Sequence, residues 1–133
     1  SVLSLVEILR TVLPAMARKK FGKVVVMLSA CVCAKPPKFM STYTVSKYAL
    51  LGTVLALAEE YAEKGICINA VSPEMTDTAF LSEISPMIVE MNRNNNVMKR
   101  NLCVDDVVPT LEYLFSAASD KVTGQNLFIT GVK

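Results

Sequence analysis

The sequence contains no histidine, only five glycines, and no apolar run that approaches the ~20 residues needed to cross a bilayer. Without histidine, and without a second paired-cysteine motif beside Cys31-Val-Cys33, the usual zinc ligand sets are missing, and no metal site is expected. The glycines are Gly22, Gly52, Gly65, Gly124 and Gly131, too far apart to form the G-x-x-x-G-x-G turn that lets backbone N–H groups approach a pyrophosphate at a helix N-terminus. A net charge of +2 without a basic cluster, Arg18-Lys19-Lys20 aside, leaves no footprint for nucleic acid. No signal-peptide pattern is visible. Cys31, Cys33, Cys67 and Cys103 read as reduced thiols, so a cytoplasmic location is expected.

What is present is one domain's worth of apolar material, 133 residues of which 52% are hydrophobic. The most informative stretch is Tyr43-Thr-Val-Ser-Lys47, a phenol and an ammonium four residues apart. At that spacing in a helix the two share one face. An ammonium close to a phenol favours the phenolate and helps it exchange a proton near neutrality, the chemistry of a carbonyl/alcohol oxidoreductase.

The segments around this pair read as alternating strands and helices. Residues 23–28 form a β-branched apolar run introduced by Gly22 and read as a buried strand. A loop over residues 29–42 leads into a helix that contains Tyr43 and runs to about Lys64, where Gly65 supplies the left-handed stop. Residues 66–71 read as a second strand ended by Ser72-Pro73, with Cys67 a small core residue. Asp105 and Asp106 open a further helix at its positive end, with Pro109 near its first turn and Val107, Val108, Leu111, Leu114, Phe115 and Ala118 on one face. Residues 126–130 close the series as a last strand. Strand, helix, strand, helix, strand implies a parallel sheet with covering helices.

In this order and spacing the residues resemble the short-chain dehydrogenases/reductases over essentially the whole chain. The resemblance rests on Leu13-Pro14-x-Met16, the strand ending near Ser29, Tyr43-x-x-x-Lys47, the Asn69-Ala-Val-Ser-Pro73 run with Asp77-Thr78, and Thr123-Gly124-Gln125. It implies an α/β, Rossmann-type parallel sheet of about three strands with flanking helices. Because the phosphate cradle is missing and Ser1 falls inside a helix, residues 1–133 are expected to be the C-terminal catalytic and substrate half of such a domain, without its dinucleotide-phosphate-binding half.

The resemblance further implies NAD or NADP as cofactor, Tyr43 as general acid/base, and Lys47 as the holder of the nicotinamide ribose. It places Pro73, Thr76 and Thr78 along the nicotinamide and its carboxamide. The serine that hydrogen-bonds the substrate oxygen falls at Ala30 by spacing, so that role passes to Ser29 if the strand end or loop takes up one residue. The glycine expected after Pro73 is Glu74, a carboxylate that either swings to solvent or crowds the site.

The expected substrate loop, between residues 79 and 98, carries Phe80, Leu81, Ile84, Met87, Ile88 and Met91 at roughly helical spacing. Such a stripe packs on the sheet or lines a lid for an apolar carbonyl or alcohol substrate such as an acyl chain. Asn94-Asn95-Asn96 reads as an exposed turn. Residues 2–16 and the Tyr43 helix are apolar on more than one face, and in the family these helices pair with their symmetry mates, so a homodimer through residues 2–18 and 43–63 is implied. The resemblance thus implies an NAD(P)(H)-dependent oxidoreductase interconverting a carbonyl and a secondary alcohol, similar to 3-oxoacyl reductases and related alcohol dehydrogenases. The alternative is a non-catalytic remnant that serves as a dimerisation or interaction module.

Overall fold

A run of valines after Gly22 favours extended backbone, and Gly22–Met27 forms strand β1. The computed structural model describes residues 1–130. Three parallel strands, β1 (Gly22–Met27), β2 (Ile66–Pro73) and β3 (Asn126–Ile129), lie in the order β1-β2-β3. Register pairs Val24 with Ile68, Met27 with Val71, and Ala70 with Asn126. The fold is thus the parallel sheet with covering helices that the alternation of segments implies, and the α/β, Rossmann-type arrangement that the resemblance implies.

β2 is the central strand, and Ile66, Ile68, Asn69, Ala70, Val71 and Ser72 are all buried. Asn69 explains how a polar residue is kept there. Its amide donates to the Val122 carbonyl at 2.9 Å and its oxygen accepts the Gln125 N–H at 3.0 Å, while the Thr123 hydroxyl accepts the Ile68 N–H at 3.0 Å. The turn before β3 is therefore fastened to β2 by side chains, with every buried polar group of Asn69 used.

Helix α1 (Val2–Lys19) buries Leu9 and Leu13, and α2 (Ser41–Tyr61) buries Leu50, Val54 and Ala58. Both contribute to one core with Val26, Leu28, Ile66 and Ile68. α2 gives way to a 3-10 turn, Ala62–Lys64, and Gly65 follows with φ 76°, the left-handed conformation expected of it. Helix α3 (Pro86–Asn95) and helix α4 (Val104–Phe115) complete the set. The start of α4 is built around Asp106, whose carboxylate accepts the Cys103 N–H at 2.8 Å and takes both Arg100 nitrogens at 2.6 and 2.8 Å. The Arg100 guanidinium and the Cys103 N–H hold that carboxyl well below the usual carboxylate range.

Several sequence expectations change on contact with the structure. β1 is an edge strand among the described residues, and Val24 and Val25 are only half-buried rather than enclosed. β2 continues through Ser72 and Pro73 because Ser72 and Pro73 remain in register with Phe128 and Ile129. β3 ends at Ile129, one residue early. Cys67 is half-buried and donates to the Asp120 carbonyl at 3.6 Å instead of packing wholly in the core. Pro109 is the sixth residue of α4, not a first-turn residue. It is tolerated because the carbonyl it leaves without a partner belongs to exposed Asp105, which water reaches. Val107 and Leu114 of that helix are buried, but Val108 and Phe115 are exposed and Ala118 lies beyond its end.

The segment 79–98 departs furthest. A 3-10 turn, Ala79–Glu83, precedes α3, and no residue of either is buried. Phe80, Met87, Ile88 and Met91 are exposed, so the stripe does not pack on the sheet. Asn94 and Asn95 end α3 and Asn96 is buried, where an exposed turn was expected.

Candidate active site

Three strands running in parallel bring their carboxyl ends to one edge of the sheet, where α/β proteins collect their ligands. Tyr43 is the third residue of α2, and Lys47 follows one turn later. The helical spacing puts the Lys47 ammonium 5.6 Å from the centroid of the Tyr43 ring. The same ammonium donates to the Met27 carbonyl, the last residue of β1, at 3.2 Å. That bond docks the start of α2 on the end of β1.

Lys47 is half-buried, and burial pushes its pKa below the ordinary lysine value, with the nearby Cys31 thiol acting in the opposite sense. Among the described residues no carboxylate forms an ion pair with it. The Tyr43 hydroxyl, also half-buried, has no hydrogen-bond partner among the described residues. It lies in the first turn of a helix, whose N-terminal end favours negative charge. The site thus sets a phenol without a described hydrogen-bond partner beside a cation on one helix face.

Ser29 leaves β1 in extended conformation, φ −161° and ψ 153°, and a 3-10 turn, Ala30–Val32, begins directly after it. It therefore keeps the strand's alternation, on the side opposite buried Leu28. The irregular backbone starts at Ala30, so the extra residue between Ser29 and Tyr43 falls in the turn and loop. Its hydroxyl oxygen accepts the Cys31 N–H at 3.3 Å, which leaves the hydroxyl hydrogen free to donate.

At the end of β2, Pro73 is half-buried and is followed by Glu74, whose N–H donates to the Ile129 carbonyl at 2.9 Å. The Thr76 hydroxyl donates to the Glu74 carbonyl at 2.9 Å, and exposed Thr78 opens the next turn, its carbonyl accepting the Leu81 N–H at 2.9 Å. The Glu74 carboxylate accepts from the Asn96 side chain, so it turns toward α3 rather than to open solvent. Two participants escaped the sequence reading. The Met27 carbonyl carries no side-chain signal at all, and Asn96 was hidden in an asparagine run that composition assigns to a turn.

The fold is that of the Rossmann-type α/β class. The sequence pattern of the family described as enoyl-(acyl carrier protein) reductase matches residues 1–131. The chain belongs to the short-chain dehydrogenase/reductase family. It is 27% identical over 128 residues to a 3-oxoacyl-(acyl-carrier-protein) reductase of Buchnera aphidicola, an alignment covering 96% of this chain and 52% of that protein. It superposes on a 3-oxoacyl-(acyl-carrier protein) reductase of Brucella melitensis crystallised with NAD, at 25% identity and TM-score 0.82, over 92% of this chain and 45% of that one. It also superposes on ElxO with NADP bound, at 25% identity and TM-score 0.82, over 92% and 50% of the two chains. The chain spans about half the length of the curated relatives it matches.

Proposed function

We propose that residues 1–133 are the catalytic and substrate half of an NAD(P)(H)-dependent oxidoreductase that interconverts a carbonyl and a secondary alcohol. The observation that carries this reading is the Tyr43 phenol and Lys47 ammonium on one face of α2, held at the mouth of β1 by the bond to the Met27 carbonyl.

The donor set suits a nicotinamide riboside. Lys47 carries three protons and uses one on Met27, which leaves two for ribose hydroxyls. Pro73, Thr76 and Thr78 line the end of β2, where the carboxamide side would rest. When bound, the nicotinamide supplies or accepts the hydride. Tyr43 gives its hydroxyl proton to the carbonyl oxygen in reduction and takes it back in oxidation. Lys47 keeps a positive charge 5.6 Å from the centre of the phenol ring and assists the proton transfer from there. Ser29 donates its hydroxyl hydrogen to the substrate oxygen and fixes its direction toward Tyr43.

The substrate reading is a small carbonyl or alcohol compound with an apolar body, a 3-oxoacyl thioester in the first instance. Support comes from the exposed Phe80, Met87, Ile88 and Met91 on the segment that follows β2 and from the 3-oxoacyl reductases among the relatives. A homodimer through residues 2–18 and 43–63 is part of the proposal. An apolar groove of about 430 Å³ runs between α1 and α2, lined by Val6, Leu9, Leu13, Leu57 and Tyr61 among others. Leu3, Ile8, Val45 and Leu55 stand exposed on the same two helices. No helix among the described residues is long and apolar enough to cross a membrane.

The test is oxidation of NADH and of NADPH by the whole protein, followed by absorbance, against 3-oxoacyl thioesters and apolar ketones. Saturable oxidation that falls sharply in Lys47→Met is the expected result. No oxidation of either cofactor with any carbonyl would refute the reading and favour a non-catalytic interaction module.

A further inference from the structure

The excursion between β2 and α4 is closed at two levels. At its base the Leu102 N–H donates to the Met75 carbonyl at 3.0 Å and the Asp77 N–H donates to the Leu102 carbonyl at 2.7 Å. Farther along, the Asn96 side chain donates to a carboxylate oxygen of Glu74. Asn96 is buried and its other polar groups are occupied. Its side-chain oxygen accepts the Met98 N–H at 2.7 Å, its N–H donates to the Asn92 carbonyl at 3.0 Å, and its carbonyl accepts the Lys99 N–H at 3.0 Å. A buried amide with its sites filled is held in one orientation. Glu74 is fixed as firmly, by its own N–H on Ile129 and by the Thr76 hydroxyl on its carbonyl.

Helix α3, in contrast, buries no residue, so core packing contributes little to where it stands. Its position depends on polar ties near its C-terminal end, the Asn96–Glu74 contact and a bond from the Asn92 amide to the Asn101 side-chain oxygen at 3.0 Å. With the preceding turn, α3 walls an open cleft of about 580 Å³ lined by Leu81, Ile84 and Val89 and by the charged Asp77, Glu90 and Arg93. A glycine after Pro73, as the family resemblance leads one to expect, has no side chain with which to make the tie.

We propose that Glu74 is a positioning residue: through Asn96 it sets where α3 stands and so fixes the width of the adjoining cleft. This rests on the oxidoreductase reading, in which that cleft receives the part of the substrate remote from its carbonyl.

Amide hydrogen exchange on the whole protein reads the tie without any need for turnover. In Glu74→Ala and in Asn96→Asp, which sets two carboxylates together, exchange over residues 86–96 should rise about tenfold or more. Glu74→Gln keeps an oxygen acceptor and should stay near the parent. The double variant Glu74→Gln/Asn96→Asp, in which the new amide donates to the new carboxylate, should recover protection. Parental exchange in Glu74→Ala would overturn the proposal, as would acceleration spread equally over β2 and α1. In the turnover assay Glu74→Ala should raise KM for the carbonyl several-fold while kcat stays within about twofold. A fall in kcat at unchanged KM would also overturn it. If the parent protein shows no turnover, the oxidoreductase reading fails and the exchange result alone decides the tie.

Discussion

Lys47→Met separates function from stability, because the ammonium given a role in the proposed mechanism is a burden to the fold. The side chain is half-buried, and burial lowers its pKa from the ordinary 10.5. Its described hydrogen bond is to the Met27 carbonyl, at 3.2 Å, and no carboxylate pairs with it among the described residues. Methionine keeps the unbranched stem and removes the charge. The loss is one charge-assisted bond, worth about 1.5–3 kcal/mol in a well-made case and less here because solvent reaches both partners. The gain is release of the desolvation cost of a partly buried cation, of comparable size. The two nearly cancel, so thermal or urea denaturation at pH 7 should find Lys47→Met within about 1 kcal/mol of the parent. The folded parent holds this proton less tightly than the unfolded chain. Between the lowered folded value and 10.5 the unfolded chain therefore binds more protons, and stability from this group rises with pH across that window. The parent should gain on Lys47→Met as pH climbs toward 10.5. A loss beyond about 3 kcal/mol at pH 7, the size expected for breaking a buried pair, would refute the reasoning and make Lys47 a structural linchpin.

Other outcomes follow from the same coordinates. Lys23, at 7% side-chain exposure, donates to Ser119 at 3.0 Å and to the Ser116 carbonyl and pairs with Asp120 at 2.7 Å, so Asp120→Ala leaves a buried cation short of one partner. With Asp120 itself 53% exposed, screening reduces the cost to about 1–3 kcal/mol by urea denaturation, and no measurable change would contradict the assignment. Gly65→Ala should destabilise by at least ~1 kcal/mol in a thermal melt, since φ is 76° and the new Cβ would stand 2.3 Å from the Lys20 carbonyl oxygen. An unaltered melt would show that the turn relaxes freely. Ser29→Ala should cut kcat at least about tenfold while costing under ~1 kcal/mol of stability, because the hydroxyl's described bond is a long one to the Cys31 N–H. Equal kcat would remove Ser29 from the site.

Legibility followed locality. The Tyr43–Lys47 pair was readable because helical spacing alone sets two side chains on one face, and Gly65 because a left-handed stop has few alternatives. β2 was readable as a strand from Ile66, Ile68 and Val71, but its extension to Pro73 depended on pairing with β3, which no local pattern encodes. The bond from Lys47 to Met27 joins a side chain to a backbone carbonyl 20 residues away and leaves no mark in residue types. The stripe on residues 80–91 shows the complementary failure: periodicity identified an apolar face but not whether anything covers it. Asn96 was misread because an asparagine run favours turns unless a distant acceptor, here Glu74, satisfies it in a buried position. Glu74 itself stood out only against the family pattern, and its direction was settled by that same contact.

The most direct measurement is single-turnover hydride transfer in Tyr43→Phe, with cofactor and carbonyl both saturating and the fold checked by circular dichroism. Removing one hydroxyl that has no partner among the described residues should leave the spectrum and the melting temperature unchanged and slow transfer by about 100-fold to 10,000-fold. Transfer at the parental rate would contradict the assignment of the proton to Tyr43.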